Sequence, residues 1–368
     1  MKILVVQDHL RSGGTERQSI LLANAFAAAG HATTLLTFRA GGPLVPTIAS
    51  NVAHRALQPR GLGLDWFAPG LLRCSWRLRP DVILCMGRMA NCYAGRLQKQ
   101  HPPAAVVATM RTGKNLPWLF RRSLRRVRHI VANSHDARGL LIHEHAVAPE
   151  KISVIYNSLV FPSAPAADAA SSARAALRAE HGATAKTAVL LCVAMFRREK
   201  NQRELIEIAA GLPRELDWQL WLAGDGPGRP ACERLAAEKN LRDRVKFIGF
   251  RRDPSSLYAA ADLAVHASWS ESLSNFLIEA QAHGLLAVAY EAQGIRECFL
   301  PGRTGWDIMR GDRDTFRATL TRRISEPASA HAERAADARR FARETFDPAR
   351  QVAAYLELFK TLPRPSAP

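Results

Sequence analysis

The sequence predicts an α/β chain built from two doubly wound, Rossmann-like domains in tandem, facing each other across a cleft. Three observations carry that prediction. The 368 residues exceed the roughly 100–200 that one compact domain usually needs. Short apolar, β-branched runs alternate with stretches of helical spacing, the pattern of a parallel sheet covered on both faces. The alternation stops once, at Pro162-Ser163-Ala164-Pro165, and then begins again.

The elements follow in order. Ile3–Val6 is uninterrupted and β-branched, so it reads as a buried strand. Ser12-Gly13-Gly14 breaks it, and Thr15–Ala29 takes helical spacing through Ile20, Leu21, Leu22 and Phe26, with Gly30 as its C-cap. Further strands are expected at Thr33–Phe38, Val82–Met86, Ala105–Met110, His129–Asn133 and Ile152–Tyr156. Beyond the linker and an Ala/Ser-rich helix, strands are expected at Thr187–Ala194, Trp218–Ala223, Val245–Phe250, Leu263–Ala267 and Leu286–Tyr290. Helices fall near Gln202–Ala210, Pro230–Lys239 and Ser274–His283, and from about Asp312 the chain is helical and charged. The domains are set at 1–165 and 166–347. Open parallel sheets bind ligands at the carboxyl ends of their strands, so the site is expected there.

Composition narrows the class. With 47% hydrophobic and 23% charged residues the chain is neither disordered, collagen-like nor a disulfide scaffold. No apolar run reaches the roughly 18–20 residues of a spanning helix. Ile3–Val6 ends at Gln7 and Asp8, short of the roughly 7–15 apolar residues of a signal-peptide core, and a cytoplasmic protein is expected. The cysteines (Cys74, Cys85, Cys92, Cys192, Cys232 and Cys298) form no C-x-x-C pair and are expected as free thiols, with no metal site. The net charge is +18. Residues 1–165 hold 21 basic and 7 acidic side chains, the remainder 30 and 26, so the excess sits in the first half. Either that half meets an anionic partner or the excess reflects an Arg-rich composition.

Several residues can carry chemistry. Gly13-Gly14 lies between the first strand and helix, where it either lets a phosphate or sugar approach or simply makes a tight turn. No full G-x-G-x-x-G is present, which counts against a dinucleotide oxidoreductase. Arg197, Arg198 and Lys200 follow the strand ending near Ala194; they suit phosphate oxygens or form a solvated loop. Ser270-Glu271-Ser272-Leu273-Ser274 precedes a helix for which Ser274 is the candidate N-cap, and a helix N-terminus favours a diphosphate. Glu279 sits in that helix among Phe276, Leu277, Ile278 and Ala280, where solvation explains it poorly. A carboxylate there can accept from two adjacent ribose hydroxyls. Asp312-Arg313-Asp314 is formally D-x-D but falls at a helix start, so it reads as capping and solvated charge.

The run Leu222–Trp306, containing LAGDGPG and the E-x7-E of Glu271 and Glu279, resembles the nucleotide-binding half of the GT-B retaining glycosyltransferases of family 4 (group 1). Gly13-Gly14-Thr15-Glu16-Arg17 resembles that family's N-terminal glycine loop, and Ile155-Tyr156-Asn157 its interdomain strand end. The resemblance implies a GT-B fold and a metal-independent transferase. It would move a sugar from a nucleotide diphosphate sugar, a UDP-sugar favoured, to an acceptor hydroxyl with retention. By the same analogy Glu279 holds the ribose, Glu271 meets the donor sugar, and Lys200 with Arg197 neutralises the diphosphate. Ser272, Leu273 and Ser274 cradle the phosphates, Gly13 and Gly14 close over them, and a helix at about 348–368 packs back on the first domain. The resemblance requires no cofactor. Three positions depart from it. Ala194-Met195 stands where the family often has Gly-Arg, Met110-Arg111-Thr112 offers Arg111 where many members carry a reactive-site His, and Leu286 replaces a common Pro. His9, His266 and His283 are weak substitutes, the latter two expected to be packed or solvated. A sugar-nucleotide epimerase of GT-B fold and a non-catalytic nucleic-acid or membrane-binding protein are the competing readings.

The segment Arg111–His129 interleaves Arg111, Lys114, Arg121, Arg122, Arg125, Arg126 and Arg128 with Leu116, Trp118, Leu119, Phe120, Leu124 and Val127. This mixture suits an amphipathic helix on an anionic membrane, extended by Trp76 with Arg73, Arg77 and Arg79. It equally describes a solvated helix whose aromatics pack inward, and less well a single-stranded nucleic-acid site. A lipid-linked or lipopolysaccharide-type glycan is the expected acceptor.

Overall fold

A computed structural model describes residues 1–11, 13–159, 161, 167–251 and 253–362. It divides the chain into two compact units, Met1–Ser158 with Asp347–Pro368, and Leu159–Phe346. The linker residues Pro162, Ser163, Ala164 and Pro165 lie outside the described residues.

Unit 1 runs β1 (Lys2–Gln7), α1 (Gly14–Ala28), β2 (Ala32–Thr37), β3 (Ala53–Ala56), α2 (Leu71–Leu78), β4 (Val82–Cys85), α3 (Arg88–Gln100), β5 (Ala105–Met110), α4 (Trp118–Leu124), β6 (His129–Ala132), α5 (His135–His143) and β7 (Ile152–Val154). Its seven strands are parallel in the order β3-β2-β1-β4-β5-β6-β7. The period of two along each strand gives two cores. Leu4 and Val6 pack on one face with Ile83, Val106 and Ala108, and Ile3 and Val5 pack on the other with Leu35, Leu84 and Val107.

Unit 2 runs α6 (Ala167–Glu180), β8 (Ala188–Val193), α7 (Gln202–Ala210), β9 (Trp218–Ala223), α8 (Arg229–Glu238), β10 (Val245–Gly249), α9 (Ser255–Ala260), β11 (Leu263–His266), α10 (Asn275–Ala282), β12 (Leu286–Tyr290), β13 (Gly305–Ile308), α11 (Arg313–Ile324) and α12 (Ala328–Phe346). Its six strands are parallel in the order β10-β9-β8-β11-β12-β13. The last helix, α13 (Pro348–Thr361), belongs to unit 1, where Tyr355 and Phe359 meet Phe26 at ring separations of 6.2 and 5.6 Å.

The structure corrects the reading of the basic segment. The helix is only Trp118–Leu124 and does not run through Arg111–His129. Pro117 opens it, and residues 111–117 ahead of it are not helical. The segment's apolar residues divide, with Leu116, Phe120, Leu124 and Val127 in the core and Trp118 and Leu119 exposed.

Candidate active site

In each sheet the strand order reverses once, between β1 and β4 in unit 1 and between β8 and β11 in unit 2. There the connections leave in opposite directions, opening a crevice at the carboxyl ends of the strands. The predicted residues of unit 2 fall on both sides of its reversal point. Lys200 closes the short turn Arg198–Lys200 after β8, and Glu271 lies in the loop after β11. The two meet, Lys200 Nζ lying 2.5 Å from Glu271 Oε1. The same oxygen lies 2.9 Å from His266 Nε2, at the end of β11. Burial pushes the Glu271 carboxyl up, but the Lys200 ammonium and the His266 hydrogen bond outweigh it and hold its pKa down to about 2. Arg197 and Arg198 are exposed beside this pair.

Backbone contacts fix the two loops together. Glu199 O accepts from Trp269 N (2.8 Å) and from Ser268 Oγ (2.9 Å). Gly294 has φ +70°, and a Cβ there would come within 2.0 Å of Ser272 O, so only glycine lets that backbone press against the loop. Gly224, the first glycine of LAGDGPG, has φ +135° and faces Ala194 O in the same manner. Ser272, Leu273 and Ser274 are buried just ahead of α10, and Ser274 is its N-cap as expected, its side chain accepting from Leu277 N. Asp312 likewise caps α11, accepting from Thr315 N, while Arg313 turns to Glu204 at 2.7 Å.

Glu279 is half-buried on α10, and Tyr258 Oη donates to its Oε2 at 2.6 Å. Tyr258 stacks on His283, with ring centroids 5.0 Å apart, and burial lowers the His283 pKa to about 4. Sequence reasoning missed Tyr258 as a partner of Glu279 and treated His266 and His283 as packed or solvated. Both rings are packed, yet His266 also bonds the candidate carboxylate. No local pattern signals that bond, because it depends on the loop folding back over the strand end.

In unit 1, Gly13 is the N-cap of α1 at φ −78°, a conformation open to any residue, and the carboxylate of Glu16 fills the space beside it. Asp8, which follows β1, was not singled out from sequence. Its carboxylate accepts from Met89 N (3.0 Å) and Ala90 N (2.7 Å) at the start of α3, and burial raises its pKa to about 6. Arg111 follows β5 and is tied on two sides. One terminal nitrogen donates to Asn157 Oδ1 and the other to Tyr355 Oη of α13, at 2.5 Å. Of the basic patch, Trp118, Arg121, Arg122, Arg125 and Arg126 are exposed, with Arg122 resting 5.3 Å over the Trp118 ring. Trp76 and the loop residues Leu62, Leu64, Trp66 and Phe67 are also exposed in this unit.

Comparisons with known proteins bear on the family and the fold. Residues 173–345 match the family described as glycosyl transferases group 1, and residues 12–159 match glycosyltransferase family 4. The N-acetyl-alpha-D-glucosaminyl L-malate synthase of Bacillus anthracis is 31% identical over 136 residues, 37% of this chain and 36% of that protein. The lipopolysaccharide core biosynthesis glycosyltransferase LpsE of Rhizobium meliloti is 30% identical over 149 residues, 40% of this chain and 43% of its own length. The chain thus matches less than half the length of either relative. Anabaena Alr3699/HepE, solved in complex with UDP and glucose, superposes with a TM-score of 0.82 at 22% identity, covering 98% of this chain and 100% of that one. Two family models that between them span 12–159 and 173–345, on a fold shared along nearly the whole chain, make this protein a member of the group 1 glycosyltransferases of GT-B fold.

Proposed function

We propose that the chain transfers a glycosyl group from a nucleoside diphosphate sugar to an acceptor hydroxyl, with retention and without a metal. The observation that carries this reading is the Lys200–Glu271 pair at the reversal point of unit 2, with Glu271 in the loop that leads into α10, the helix that carries the half-buried Glu279. In the reaction the acceptor oxygen bonds to the anomeric carbon while the bond from that carbon to the phosphate oxygen breaks. The acceptor's proton passes to the departing phosphate oxygen. Lys200, Arg197 and the α10 dipole offset the charge that develops on the diphosphate, Glu279 holds the ribose, and Glu271 meets the sugar. These cations do the work that Mg²⁺ does elsewhere. UDP-sugars are the favoured donors, in keeping with the UDP complex of the Anabaena neighbour. A lipopolysaccharide, exopolysaccharide or other cell-surface glycan is the acceptor class, in keeping with the LpsE relative.

The test is a thermal-shift panel of UDP, GDP, ADP, CMP, NAD and a short oligonucleotide in EDTA. A nucleotide at 100 times its Kd stabilises by about 2.7 kcal/mol, which moves Tm by several degrees. UDP alone is expected to shift it, and the product made in EDTA should keep the donor's anomeric configuration by NMR. A response to the oligonucleotide only would sink the enzyme reading, and loss of turnover in EDTA would sink metal independence.

We assign the exposed patch of Trp118, Arg121, Arg122, Arg125 and Arg126 to contact with an anionic membrane at its cytoplasmic face. No helix among the described residues is long and apolar enough to cross one. The protein should co-sediment with vesicles containing anionic lipid and not with zwitterionic ones, more weakly as salt rises. Equal binding to both would remove the assignment.

A further inference from the structure

We propose that His266 is a positioning residue for Glu271, keeping that carboxylate hydrogen-bonded when the Lys200 ammonium leaves it for the diphosphate of a donor. The inference rests on the glycosyl-transfer reading and adds a residue to it. Glu271 Oε1 takes both partners at once, Lys200 Nζ at 2.5 Å and His266 Nε2 at 2.9 Å. The two partners differ in freedom. The Lys200 side chain is 26% exposed and ends in a mobile point charge that an incoming diphosphate competes for. The His266 side chain is 1% exposed, its backbone is paired with Ala289 of β12, and its ring lies 5.7 Å from that of Phe276, so it stays in place. Without it, the departure of Lys200 would strand a buried carboxylate, which would take up a proton or draw the ammonium back.

The ring's other nitrogen fixes its state. Nδ1 is buried with no hydrogen-bond partner among the described residues. An imidazolium, or the Nδ1–H tautomer, would bury an unpaired N–H there. The neutral Nε2–H form instead donates its one proton to Glu271 and leaves only a lone pair unmet. The Lys200 ammonium is then the charge that moves when a diphosphate arrives. Among the described residues, the thiols of Cys192 on β8 and Cys298 after β12 also sense Glu271, and burial pushes both up, so they are uncharged near neutral pH.

The experiment compares H266L with H266Q, whose amide nitrogen can reach the Nε2 position. H266L should lower kcat at least tenfold while donor KM changes less than threefold, and the acid limb of its kcat–pH profile should move up by a unit or more. H266Q should recover most of both. Wild-type kcat and an unmoved acid limb in H266L would overturn the proposal, as would equal impairment of the two variants. Ring ¹⁵N shifts of His266 in the wild-type protein decide the matter even where a variant fails to fold. They should report the neutral Nε2–H tautomer with and without UDP, and the imidazolium or the Nδ1–H form would refute it. Failure of the glycosyl-transfer reading shows separately, as a wild-type protein that turns over no sugar nucleotide.

Discussion

Lys200→Ala should lower kcat by about 10²–10³-fold, the range for losing one preorganised group at the developing charge of a transition state. Part of that loss comes through Glu271. In the wild-type protein Lys200 lies 2.5 Å from the carboxylate of a residue that is 8% exposed, and His266 shares the same oxygen. Removing the ammonium therefore also costs about 1–3 kcal/mol of stability, the penalty for leaving a buried group half-satisfied. The pH dependence follows from the same pair. Glu271 has a folded pKa of about 2 against an ordinary 4.5, so it adds stability that is fully present above about pH 4.5 and is lost as pH falls toward 2. Lys200→Ala should flatten the acid side of the Tm–pH curve. The double variant Lys200→Ala, Glu271→Gln separates the two effects, recovering stability because no buried charge remains while turnover stays low. Turnover within twofold of wild type in Lys200→Ala would remove Lys200 from the site.

What the sequence revealed, and what it hid, follow from how local each interaction is. Strands such as Val82–Cys85 and Leu286–Tyr290 are buried at every position, so an unbroken apolar run announces them. Ser274 was legible because an N-cap needs only a hydroxyl ahead of an apolar helix. Ala53–Ala56 was not. This edge strand reads AHRA, none of its residues is buried, and its register against Thr34–Thr37 is all that makes it a strand. Arg111 shows the same limit at the site. Sequence offered it as the stand-in for a reactive-site His, but its guanidinium is held by Asn157 and by Tyr355, which lies 244 residues further along the chain. Nothing near Arg111 in sequence foretells a partner so distant. Glu279 was suspected from its apolar neighbours, yet Tyr258, which orients it from another helix, was invisible for the same reason.

Glu279→Ala should weaken nucleotide binding by about 30–150-fold, or 2–3 kcal/mol, the worth of one or two charge-assisted hydrogen bonds to the ribose. Its effect on kcat at saturating donor should be small. The ribose is remote from the bond being broken, so its contacts contribute equally to ground and transition states and appear in KM. Folding should change less than binding does, because Glu279 is half-buried, and the Tyr258 hydroxyl loses an acceptor with it. Isothermal titration with UDP separates the possibilities. Glu279→Gln keeps one acceptor without the charge and should fall between wild type and alanine, which loss of helix packing alone would not produce. Unchanged UDP affinity in Glu279→Ala would mean that the ribose lies elsewhere. A kcat loss as large as that of Lys200→Ala would mean that Glu279 acts on the reacting centre, and the division of work between the two glutamates would have to be reversed.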